Sequence, residues 1–78
     1  MREYEIRLRS VQDVQDFVAL ATTRSFPVLV RDDRHQVNGK SFMEMFCLNF
    51  TSPLSVLSDC SEWDFQQFLK EADRFLVK

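Results

Sequence analysis

The chain has 78 residues, 45% of them hydrophobic with eight phenylalanines, and a formal net charge of −2. That length predicts a single domain over residues 1–78 whose core must be dense, and the charge offers no basic field for a nucleic-acid backbone. No apolar run is long enough to span a bilayer, no secretory signal pattern is present, and Cys47 and Cys60 lack metal-ligand spacing, so a reduced, cytoplasmic setting is expected.

Along Arg2 to Arg9, Tyr4, Ile6 and Leu8 alternate with charges, the period of a strand with one wet face. Ser10 follows as an N-cap with Asp13 three residues on. Val11, Val14, Phe17, Val18 and Ala21 then recur at threes and fours, which predicts an amphipathic helix to about Thr23. Ser25 to Arg31 is apolar and β-branched, with Pro27 confined to the start of a strand because it cannot donate to a ladder. Asp32–His35 is a polar turn and Gln36–Val37 a short returning strand.

Asn38-Gly39 is a turn signal, since both residues tolerate positive φ and Gly39 is the only glycine. Ser41 is the next N-cap, and Glu44 completes a capping box. Phe42, Met43, Met45 and Phe46 crowd into about one and a half turns of a short helix, so at least one large apolar group should stay in water. Cys47 is expected half-buried on that helix and Cys60 in a loop. Thr51-Ser52-Pro53 breaks the chain before a fourth strand, Leu54–Ser58, with Val56 and Leu57 on opposite faces. Ser61 caps a last helix on which Phe65, Phe68, Leu69, Ala72, Phe75 and Leu76 form one stripe. Burying five large side chains there contributes roughly 10 kcal/mol gross. Lys70, Glu71, Asp73 and Arg74 fill its wet face. The order β-α-β-β-α-β-α favours an α+β domain with helices on one face of an antiparallel sheet.

The run Lys40-Ser41-Phe42-Met43-Glu44-Met45-Phe46-Cys47-Leu48 resembles the regulatory segment of HPr, the phosphocarrier of the bacterial sugar phosphotransferase system, which typically reads Lys-Ser-Ile-Met-Gly-Val-Met-Ser-Leu. The resemblance implies an open-faced β-sandwich, a four-stranded antiparallel sheet covered on one face by three helices. It also implies Ser41 as a phosphorylation candidate and Lys40, Phe42, Met43 and Phe46 as a partner-binding surface. The implied partners are phosphotransferase-system proteins or a transcriptional regulator, with no nucleic acid and no membrane. The family's phosphorylated histidine belongs to a Gly-Leu/Ile-His-Ala/Thr-Arg-Pro loop. The corresponding stretch here, Leu8 to Gln15, has no glycine, histidine or proline. Ser10 and Gln12 are the residues nearest that position; a catabolite-repression paralogue of HPr also carries glutamine there. Asp13 and Asp16 put negative charge where a phosphate needs positive potential, so loss of histidine phosphocarrier chemistry is expected.

Nothing else forms a catalytic constellation. His35, the only histidine, sits in the Asp32–His35 turn as a solvated residue, and Asp32 and Asp33 want a third ligand before they would hold a metal. Neither cysteine has a basic neighbour to activate it. No enzyme, cofactor or metal is expected. Two other readings remain open: a phosphocarrier working through a non-standard residue, and a small ligand-binding domain with an open sheet face. The oligomeric state is not legible.

Overall fold

Three serines start the three helices. Ser10 Oγ accepts from the Asp13 N–H at 3.1 Å, Ser41 Oγ from Glu44 at 3.3 Å and Ser61 Oγ from Asp64 at 3.2 Å, each cap stabilising by about 1 kcal/mol. The structure, a computed structural model, describes residues 1–77. Its elements run β1 (Arg2–Ile6), α1 (Val11–Thr22), β2 (Val28–Arg31), β3 (Gln36–Asn38), α2 (Phe42–Met45), β4 (Leu54–Ser58) and α3 (Glu62–Glu71), then a 3-10 turn at Asp73–Phe75. The strands form one antiparallel sheet in the order β1-β4-β2-β3.

Register decides which side chains are inside. Tyr4 lies opposite Val56, Val56 opposite Val30 and Val30 opposite Val37, a row across all four strands that faces the helices and is buried. The next row, Glu3, Leu57, Leu29 and Asn38, faces the other way. Val56 and Leu57 therefore point to opposite faces, as the period of two requires. Over the inner face, the Phe68 ring meets Tyr4 edge-on at 5.5 Å and Phe26 at 5.7 Å, and stacks with Phe17 at 6.2 Å. This is an α+β open-faced sandwich with its three helices on one face of the sheet.

Two expectations fail at the chain's ends. Regular pairing in β1 stops at Ile6, three residues short of Arg9, although Leu8 is still buried. The last helix stops at Glu71, so Phe75 and Leu76 are not on its stripe and Arg74 is not on its wet face. The chain turns there and runs beside the free edge of β1. The Arg7 N–H donates to the Phe75 carbonyl at 2.8 Å and the Val77 N–H to the Glu5 carbonyl at 3.2 Å. Otherwise unpaired edge groups are satisfied in this way, and the Phe75 ring reaches the core at 5.8 Å from Phe17.

Gly39 also departs from expectation. No residue among those described has a positive φ, Gly39 included. It is required for space instead. A Cβ there would stand 2.8 Å from Val28 Cγ1, 3.0 Å from Val30 Cγ2 and 3.2 Å from the Val28 carbonyl oxygen. The Gly39 N–H donates to that same oxygen at 2.8 Å, drawing the start of α2 against the sheet.

Candidate functional site

From Gly39 onward a short hydrogen-bonded ladder aims α2. Asn38 organises it: its Oδ1 accepts from the Lys40 N–H at 2.9 Å and its carbonyl from the Ser41 N–H at 3.0 Å. Only the hydroxyl half of the expected capping box forms. The Ser41 N–H is already bonded to Asn38, so the Glu44 carboxylate accepts from the Asn38 N–H instead, at 3.2 Å. Lys40 Nζ donates to the Arg24 carbonyl at 2.6 Å, linking this segment to the carbonyl end of α1, where a cation is favoured.

A four-residue helix has room for one inward anchor, and Met45 is it, fully buried. Met43, two residues and about 200° away around the helix, is 83% exposed. Phe46, just past the helix, is 45% exposed. The half-buried Phe42 ring meets Phe46 edge-on at 4.8 Å, and Phe46 meets Phe50 at 6.4 Å. Cys47 lies beyond the end of α2 and is exposed rather than half-buried.

Phe46 and Phe50 also face the start of α1. With Leu8, Arg9, Ser10, Val11 and Val14 they line an apolar hollow of about 230 Å³, at whose rim Val11 is 58% exposed. The fold thus brings together Ser10 and Phe46. Gln12 does not line the hollow; its side-chain amide donates to Asp16 at 2.8 Å. Lys40, Ser41, Phe42 and Met43 stand outside it as well.

The acidic residues of α1 are not free negative charge. Arg74 reaches across from the C-terminal turn, its guanidinium 2.7 Å from Asp13 and 2.9 Å from Asp16, over the Phe75 ring at 4.5 Å. Hydrogen bonds from Gln12 and Arg74 hold the Asp16 carboxyl below its ordinary range. Asp13 accepts as well from the Arg9 N–H at 3.0 Å. Sequence reasoning placed Arg74 only on a solvated helix face and missed its pairing with Asp13 and Asp16. The unassigned Phe50 was the one available signal for the far wall of the hollow.

The only histidine lies elsewhere. His35, with Asp32, Asp33, Arg34, Cys47, Leu48 and Asn49, lines a separate hollow of about 410 Å³ that shares no residue with the one at Ser10. Asp32 there is turn scaffolding. Its carboxylate, 4% exposed, accepts N–H bonds from Arg34 at 2.8 Å, Asn49 at 2.9 Å and His35 at 2.5 Å, and these hold its carboxyl far below the usual range. Burial, then the Asp64 charge, pushes the Cys60 thiol up. Among the described residues no three His, Cys, Asp or Glu side chains are grouped to hold a metal, and no helix is long and apolar enough to cross a membrane.

These features sit on the fold of small phosphocarrier proteins. The chain is similar to HPr-C-His from Thermoanaerobacter tengcongensis, with TM-score 0.73 and 22% identity over 92% of this chain and 93% of that one. It is also similar to the phosphocarrier protein HPr of Bacillus anthracis, with TM-score 0.72 and 17% identity over 97% and 94%. A third likeness is to the histidine-containing phosphocarrier protein of Mycoplasma, with TM-score 0.68 and 12% identity over 99% of both chains. No family model and no curated protein matches the sequence. At these identities the likeness is one of fold: the chain has an HPr-like architecture throughout its length.

Proposed function

We propose that this chain is an HPr-like interaction module, neither an enzyme nor a histidine phosphocarrier, that docks protein partners from the α2 side of the molecule. The observation that carries this reading is Met43, a large apolar side chain 83% exposed at the start of a capped helix. Phe46 and Val11 are also exposed and line the apolar hollow between this segment and α1, and exposed apolar groups of this kind commonly mark contacts. Ser41, partly exposed at the cap, is the site at which docking is modulated: a phosphate there would meet the Glu44 N–H that its oxygen already accepts from. The resemblance in this segment points to cytoplasmic phosphotransferase-system proteins or a transcriptional regulator as partners. The side-chain ammonium of Lys40 is engaged by Arg24, so Met43 and Phe46, with the part-buried Phe42, supply most of the contact.

Two assays test the reading. Incubated with phosphoenolpyruvate and the phosphotransferase system's first enzyme, the chain should acquire no acid-labile phosphate; phosphate on His35 would overturn the loss of carrier function. Binding to purified phosphotransferase-system proteins and to the regulator should then be compared for wild type and Met43→Ser/Phe46→Ser. Loss of binding in the variant is expected, and equal affinity would dismiss this surface.

A further inference from the structure

The C-terminal turn builds a second cleft, which shares only Arg9 with the apolar hollow beside Phe46. Arg7, Arg9, Arg74, Leu76 and Val77 line a hollow of about 410 Å³. Three of its five lining residues are arginines, in a chain whose net charge is −2. The Arg7–Phe75 and Val77–Glu5 backbone bonds seat residues 74–77 along β1 and so bring the three together. Arg74 is held in place by Asp13, Asp16 and the Phe75 ring. The side chains of Arg7 and Arg9 have no hydrogen-bond or ion-pair partner among the described residues.

Three positive charges against the two carboxylates on Arg74 leave the cleft with one net positive charge. Both of those carboxylates are already paired. Glu5, the next charge along β1, lines a neighbouring hollow with Glu3, Leu69, Leu76 and Val77 rather than this one. Two adjacent cations without counter-ions repel each other, and an anion between them relieves that repulsion. The planar guanidinium fork matches oxyanions in pairs of hydrogen bonds, and the cleft has the size of a small-ligand site.

We infer that this cleft binds a small dianion, a phosphate monoester or a dicarboxylate. Arg7 and Arg9 take its oxygens, and Leu76 and Val77 lie against its carbon skeleton, while Arg74, its charge already offset by Asp13 and Asp16, forms a wall of the cleft. Because two of the cations are near solvent, salt weakens the site.

The test is a titration of isotope-labelled protein, following the Arg7 and Arg9 Nε–H signals and the Val77 amide. The probes are inorganic phosphate above its second pKa, succinate, and sodium chloride at matched ionic strength. Saturable shifts with phosphate or succinate, absent with chloride, are expected. Phosphate alone would assign the phosphate source, succinate alone the dicarboxylate, and both a general dianion site. Arg7→Gln/Arg9→Gln replaces two side chains outside the buried core and should weaken binding about tenfold or more, as loss of charged hydrogen bonds does. Arg34→Gln/Lys70→Gln removes the same charge elsewhere and should leave affinity unchanged. Shifts that never saturate, that chloride reproduces, or that both double variants weaken equally would overturn the assignment.

Discussion

Gly39→Ala separates two explanations of one residue. If the glycine served a positive φ, alanine would strain the backbone, but φ is not positive at this position. The cost is instead contact. An alanine Cβ would stand 2.8 Å from Val28 Cγ1 and 3.0 Å from Val30 Cγ2, and 3.2 Å from a carbonyl oxygen held by the Gly39 N–H. Val28 and Val30 are buried in the central sheet and cannot swing into solvent. Overpacking of this kind costs about 1–3 kcal/mol. Against it stands about 0.4–1 kcal/mol from the stiffer unfolded chain. The expected net loss is about 1–2 kcal/mol, or roughly 5–15 °C in Tm for a domain of this size. Urea and thermal melts read it directly. The decisive measurement is the double-mutant cycle with Val28→Ala, which removes the nearest methyl. A steric origin requires the two substitutions to be less harmful together than their sum, by about 1 kcal/mol or more. Strict additivity, or an alanine variant as stable as wild type, would refute the contact argument.

The two methionines of α2 should behave oppositely: Met45→Ala costs about 2–5 kcal/mol because it empties a buried site, while Met43→Ser stays within about 0.5 kcal/mol. Equal losses in denaturant melts would show that α2 is seated differently. Asp32 should give an acid-sensitive stability term. Its carboxyl is held far below the ordinary value by three backbone N–H groups, so its stabilisation is fully present above about pH 4 and is lost as pH falls below that towards the depressed folded-state value. Asp32→Ala should lower Tm at neutral pH, with the difference from wild type narrowing steadily on acidification; a constant difference would contradict the assignment. At Ser41, a phosphate one turn from the Glu44 carboxylate meets repulsion on the order of 1 kcal/mol near water. Glu44→Gln, which keeps an acceptor for the Asn38 N–H, and Glu44→Gly should therefore both be phosphorylated several-fold faster than wild type by an HPr kinase. Equal rates for all three proteins would remove the electrostatic argument.

The sequence by itself determined the order of elements and most of the inner face. Helix starts were legible because a serine and the amide three residues on lie within one hydrogen bond, so Ser10, Ser41 and Ser61 announce themselves locally. Strand faces were legible because side chains alternate with a period of two, which put Tyr4 and Ile6 on one face and Val56 opposite Leu57; the structure makes Tyr4, Ile6 and Val56 the buried set. That at least one large apolar group near α2 would stay in water followed from crowding Phe42, Met43, Met45 and Phe46 into about one and a half turns; that it is chiefly Met43 came from the structure. Only the tertiary structure decided the rest, since those relations span the chain. Composition does not tell that Arg74 leaves its helix to meet Asp13 and Asp16, that the last residues pair with the edge of β1, or that Phe50 closes the hollow at Ser10. Even Gly39, an evident turn residue, takes its reason from two valines on a strand ten residues earlier in the chain, where the sheet comes too close to admit a methyl group. Local signals act through bonds and periods of a few residues; close approach and charge pairing depend on a register that only the packed sheet and helices supply.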